Sequence, residues 1–176
     1  MDHIRESAWA DDLHVGDSYR LGEYQVSEDE LIRFARQWDP QLFHTDRVVA
    51  GEGYFGGVIG SGIHTIAICQ RLVVLSVYSR WNVIAGRRFR EVEFLSPLRP
   101  NDVLTGALTV EGVVLDNRSR GLVTAAAEVV TSEGVRILTM VTEMYVRANT
   151  SSAVIDGHGI GARGADAPLA SGEAVQ

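Results

Sequence analysis

The chain has little cysteine, little proline, a deficit of positive charge and no long apolar run. Cys69 is the one cysteine in 176 residues. That excludes an intramolecular disulfide and any zinc site built on cysteines. It fits a reducing, intracellular compartment, and a cytoplasmic location is expected. Lysine and arginine total 16 against 23 acidic residues, a formal charge of -7. A nucleic-acid partner would call for a basic patch or stripe, so none is expected. A phosphorylated ligand stays open, because a local basic cluster can sit on an acidic protein. The longest apolar run, around Leu72–Leu75, falls far short of the roughly 20 residues a membrane span requires, and no membrane partner is expected. The first 13 residues carry Asp2, Glu6, Asp11 and Asp12 and no apolar stretch, so they do not read as a signal peptide.

With 45% hydrophobic and 22% charged residues, one soluble globular domain is expected. Residues 1–18 read as a loosely held arm, with Trp9 as a possible anchor. Residues 19–26 read as a strand or short hairpin. Ser27-Glu28-Asp29-Glu30 is a helix start. Ser27 supplies the cap and Glu30 the returning half of a capping box, with Val26 and Leu31 as a hydrophobic staple. Leu31, Ile32, Phe34, Ala35 and Trp38 recur at helical spacing, and Pro40 ends the helix. Glycines 51, 53, 56 and 57 limit residues 45–58 to loop and short helix. Ser61 then caps a second helix, from Ile63 to Tyr78, that is apolar on nearly every side and so reads as buried. Residues 88–95, 103–115, 121–131 and 135–147 read as strands. Ser96–Asp102 turns the chain, and the last three strands, joined by turns at Asp116–Arg118 and Ser132–Gly134, make an antiparallel meander. An α+β domain over residues 19–147 follows, with a curved antiparallel sheet wrapped around a long central helix. Residues 148–176 are rich in alanine, glycine and serine and read as a flexible tail.

Asp39-Pro40-Gln41-Leu42-Phe43-His44 carries the chemistry. The residue before a proline is biased away from helix, so Asp39 is expected to turn its carboxyl out of the first helix. His44 follows within reach of a folded-back loop. A carboxylate and an imidazole aimed at one point can hold a water and move its protons near neutral pH. Taken singly, Asp39 also reads as a helix-ending residue and His44 as a core histidine. His64 reads as a packing or pocket residue, Asp46 as a solvated turn residue, and Gln70 as a polar group that needs a partner if buried.

This run, with Gly60-Ser61-Gly62-Ile63-His64 and the turn holding Phe94, Ser96, Pro97, Arg99, Pro100 and Asp102, resembles the MaoC-like, (R)-specific enoyl-CoA hydratase branch of the hot-dog fold. That family's motif is Asp, any, Asn, Pro, apolar, His. Here Pro40 stands beside the acid and Gln41 occupies the asparagine position, a form similar to dehydratase-like relatives with Asp-Pro-Gln and His-Thr-Asp. The resemblance implies hydration of a trans-2-enoyl thioester to the (R)-3-hydroxyacyl form, or the reverse. Asp39 and His44 would share the water. The Gly62 backbone N–H would polarise the thioester carbonyl at the start of the buried helix, with Ser61 and Gln41 nearby. Arg87 and Arg88 could meet the phosphates of CoA or of a carrier protein's pantetheine. No cofactor or metal is implied beyond the substrate's own CoA or pantetheine, and a homodimer or higher oligomer is expected. A thioesterase on the same fold and a non-catalytic acyl-thioester-binding subunit are the alternatives.

Overall fold

A computed structural model describes residues 7–149. The elements run β1 (Ser18–Arg20), β2 (Tyr24–Gln25), α1 (Glu28–Trp38), α2 (Leu42–Thr45), α3 (Arg47–Glu52), α4 (Gly62–Ser76), β3 (Val83–Phe94), β4 (Val103–Asp116), β5 (Arg120–Thr131) and β6 (Arg136–Arg147). Every strand pairing is antiparallel, in the order β1-β4-β5-β6-β3, with β2 also on β4. β1 and β2 therefore do not form a hairpin with each other; both lie along β4. The fold is the hot-dog arrangement, a curved sheet around a central helix.

Strand alternation decides which residues meet the helix. Val123, Ala125, Ala127 and Val129 of β5 and Leu138, Met140, Met144 and Val146 of β6 share one buried cluster with Ile68, Cys69, Leu72 and Val73 of α4. Each large apolar side chain so buried is worth about 1.5–3 kcal/mol. Burial also pushes the Cys69 thiol up to about 12, so this thiol stays protonated and unreactive. The helix is not covered all round as its composition suggested. Ile63, Val74 and Leu75 face away from the sheet and stay exposed. The 19-residue run Gly62–Arg80 is long and apolar enough by length and composition to cross a membrane, a test that the core helix of a fold also passes. Its inner face is instead packed on β5 and β6.

Within the segment expected to form an arm, residues 8–13 are tied to the fold. The Ala8 N–H donates to the Arg80 carbonyl at 2.8 Å, and the Ala8 carbonyl accepts from Asn82 N–H at 2.9 Å. Ala10 and Leu13 are buried in the main core. Apolar side chains in a polar segment bought that order, which composition alone hides. At the other end the Ala148 N–H donates to the Ser119 carbonyl and Asn149 N–H to Asp11 Oδ1. The rest of the expected tail, residues 150–176, lies outside the described residues, as do residues 1–6.

At α1 the Ser27 hydroxyl accepts from the Glu30 N–H, but the capping box is not closed. Glu30 Oε1 instead accepts from the Tyr24 hydroxyl at 2.6 Å and faces His64 Nε2 at 3.2 Å. These partly buried donors outbid the solvated N-cap amide. His64 stacks on Phe34 with ring centroids 4.1 Å apart, and burial lowers its pKa despite the attraction of Glu30. α1 is thereby fixed against the first turn of α4. Gly60, just ahead of α4, is packed without spare room: a Cβ there would lie 2.9 Å from Leu98 Cδ2 and 3.1 Å from Leu31 Cδ2. Gly60→Ala is expected to destabilise the fold by about 1–3 kcal/mol, read from the urea midpoint at unchanged slope.

Candidate active site

Pro40 sets the local geometry. Asp39 caps the C-terminus of α1 with φ -154° and ψ 69°, and its N–H donates to the Ala35 carbonyl. The chain then folds back at once: Gln41 N–H donates to the Asp39 carbonyl at 2.8 Å and His44 N–H to the Gln41 carbonyl at 2.9 Å. This brings His44 Nε2 to 3.5 Å from Asp39 Oδ2. That separation is longer than a good hydrogen bond and too short for a water to lie between the two atoms, so a water touching both would sit to one side of the pair. His44 is buried, and its Nδ1 lies 2.8 Å from the Ile59 carbonyl oxygen. A carbonyl only accepts, so Nδ1 carries a proton, and the ring turns its Nε2 toward Asp39. Phe43 packs on the His44 ring at 4.2 Å.

Ser61 and Gln41 stand close to where the substrate-binding expectation put them, but both are spent on the acid. The Ser61 hydroxyl donates to Asp39 Oδ2 at 2.7 Å, and the Gln41 amide donates to Oδ1 at 2.9 Å. Ser61 occupies the cap position of α4 without its side chain capping the helix; its hydroxyl donates to Asp39 and does not accept from the first N–H groups of α4. Asp39 is held below the ordinary carboxylate range, by the Ser61 hydrogen bond first, then Gln41, with His44 adding to it against a partial loss of solvation. A depressed carboxylate stabilises the fold above its unfolded value of about 3.9, and that contribution is lost as pH falls through the folded value. Ser61→Ala should therefore cost stability near neutral pH, with the difference from wild type shrinking in acid. Urea midpoints at the two pH values measure this.

Gly62 opens α4 beside these groups. Its N–H belongs to the first turn, and among the described residues nothing accepts from it. The positive end of the helix dipole adds to the pull on negative charge there. A Cβ at Gly62 would lie 2.8 Å from Phe94 Cζ, so the close approach of that ring requires glycine.

Other expectations are redirected. Arg87 and Arg88 do not present free guanidinium groups. Both donate to the buried Glu143 carboxylate, at 2.7 and 2.8 Å, and Arg90 lies 3.2 Å from it. The antiparallel register sets Arg88 directly opposite Glu143, a pairing invisible without the sheet. Asp46 is more than a solvated turn residue: its Oδ1 accepts from Val48 and Val49 N–H and caps α3. Gln70 is half-buried. Among the described residues, no group of three or more His, Cys, Asp or Glu is placed to hold a metal ion. The Asp39–Ser61 contact, missed from sequence as a pairing, had one signal: a serine at a helix start whose burial needs a partner.

The MaoC like domain family matches residues 12–133. An uncharacterized protein, YdeM, of Bacillus subtilis is 35% identical over 94 residues, covering 53% of this chain and 67% of that one. The crystal structure of a MaoC-like dehydratase from Rhodospirillum rubrum has a TM-score of 0.76 at 30% identity, over 81% of this chain and 99% of that one. An R-hydratase of Pseudomonas aeruginosa shares the fold with a TM-score of 0.62 at 19% identity, over 87% of this chain and 96% of that one.

Proposed function

We propose, from the premise that this chain belongs to the MaoC-like domain family, that it adds water reversibly across the C2–C3 double bond of a trans-2-enoyl thioester. The observation that carries this reading is the 3.5 Å gap between His44 Nε2 and Asp39 Oδ2, beside the start of α4. A water beside the pair, within reach of both atoms, donates to the ionised Asp39 carboxylate, which orients it. His44 Nε2 removes its proton while the oxygen bonds to C3. The C2–C3 π electrons move toward the thioester oxygen, which accepts from the Gly62 N–H as negative charge develops. The imidazolium then returns the proton to C2. One water has been added, and every protein group is back in its starting state. Dehydration is the same path reversed.

We further propose that a second copy of the chain walls the site. β3 is a 12-residue edge strand exposed on both faces, and such an edge calls for cover. Phe94 at its end and Ile63 on α4 are exposed apolar groups flanking Gly62. The three arginines on β3 outnumber the Glu143 carboxylate, and we assign the surplus charge to the phosphates of CoA or of carrier-protein pantetheine. The reading is tested by incubating the protein with trans-2-enoyl-CoAs of increasing length and separating the products. 3-Hydroxyacyl-CoA of (R) configuration is expected. Free CoA with the carboxylic acid would favour a thioesterase instead, and no product at any length would favour a binding subunit.

A further inference from the structure

The turn from Leu98 to Asp102 lies far along the chain from the Asp39–His44 pair, yet it grips both segments that build it. On one side Asn101 N–H donates to the Val26 carbonyl at 2.7 Å, and Val26 N–H donates to the Asp102 carbonyl at 3.1 Å. Val26 leads directly into α1, whose far end is Asp39. On the other side Gly60 N–H donates to the Leu98 carbonyl at 2.8 Å, and Arg99 Nη1 donates to the Phe55 carbonyl at 2.8 Å. The turn is itself closed by Arg99 N–H donating to Asp102 Oδ2 at 2.7 Å. Segment 55–60 is thus clamped at both ends by two adjacent residues, Leu98 and Arg99. Between the clamps lies Ile59, whose carbonyl accepts from His44 Nδ1.

The Arg99 end of this clamp has work to do. Phe55 is followed by Gly56 at φ +63° and then Gly57, so little in the local chain restrains the segment. Phe55 also belongs to an aromatic series that ends on the active-site ring: Phe55 to Phe43 at 6.5 Å, and Phe43 to His44 at 4.2 Å. Releasing Phe55 would loosen His44 by two routes, through the Ile59 carbonyl and through the Phe43 ring.

We infer that Arg99 is a positioning residue: it holds segment 55–60 so that the Ile59 carbonyl fixes His44 as the Nδ1–H tautomer with Nε2 facing Asp39. The inference rests on the hydratase reading for its kinetic consequence, but not for its structural one. Two readouts therefore apply to Arg99→Met, which keeps the aliphatic stem and removes the donors. In nitrogen-labelled histidine NMR, wild type is expected to show a single Nδ1–H tautomer for His44, and Arg99→Met a mixture. In turnover of an enoyl-CoA, kcat is expected to fall about ten- to a hundredfold, as a misplaced group would cause, with KM little changed. Arg99→Lys, which retains a donor within reach of Phe55, should recover most of both signals. Should Arg99→Met fail to fold, Asp102→Ala removes the acceptor of the Arg99 N–H, loosens the same turn from its other end and is read the same way. Wild-type tautomer and turnover in the variant overturn the inference, and so does lost turnover with the tautomer unchanged. A protein with no turnover at all would sink the hydratase reading while leaving the tautomer result to decide this one.

Discussion

Replacing Asp39 by asparagine, or His44 by alanine, is expected to lower hydration of an enoyl-CoA by about 10²- to 10⁴-fold, the range that positioned acid–base groups contribute. Asparagine is the more informative change at position 39. Its side-chain oxygen can still accept from the Ser61 hydroxyl, so a buried polar group is not stranded, and the loss reports the missing charge. Asp39→Ala would leave the fully buried Ser61 hydroxyl without its acceptor and add an instability of about 1–3 kcal/mol. At position 44 alanine removes the nitrogen placed to take the water's proton, and it also takes from the buried Ile59 carbonyl its Nδ1 donor. The double variant should lose little more than the worse single one, because groups that act on one water as a unit are not additive. Unchanged circular dichroism and steady-state turnover together make the comparison.

Gly62→Pro should cost about 10²- to 10³-fold in kcat, the effect of deleting one donor to a developing oxyanion. Position 62 is the first residue of α4, where proline is tolerated because the missing N–H has no partner in the helix. The preceding Ser61 has φ -59° and ψ 141°, the extended conformation that a following proline requires. The substitution therefore removes the N–H with little strain in the backbone. The ring must still displace Phe94, whose Cζ would lie 2.8 Å from a Cβ. Gly62→Ala makes the same demand while keeping the N–H, and its kcat measures that contribution separately. If alanine and proline lower kcat equally, the loss belongs to Phe94 and not to the donor.

What the sequence could and could not convey follows from the range of each interaction. Local signals were legible: the Ser27 cap, the Pro40 stop, the hairpin turns, and an acid and imidazole only five positions apart. Signals that depend on sheet register were not. Arg87 and Arg88 read as a free basic pair because Glu143 is more than fifty residues away and meets them only when β3 lies along β6. Glu30 fitted a capping box by spacing, yet Tyr24 and His64 hold its carboxylate. Ser61 and Gln41 were placed near the chemistry, but their hydrogen bonds to Asp39 could not be read from a chain in which Ser61 stands 22 positions from its partner. The apolar α4 was read as buried all round; composition does not say which face the sheet leaves open.

The most direct test of the account is the fate of the water oxygen. Crotonyl-CoA incubated with the protein in heavy-oxygen water should yield 3-hydroxybutyryl-CoA carrying the label at the C3 hydroxyl, with the thioester intact and no free thiol. Label recovered in a carboxylate, together with released CoA, would place the attack at the carbonyl and contradict a water held for C3 by Asp39 and His44.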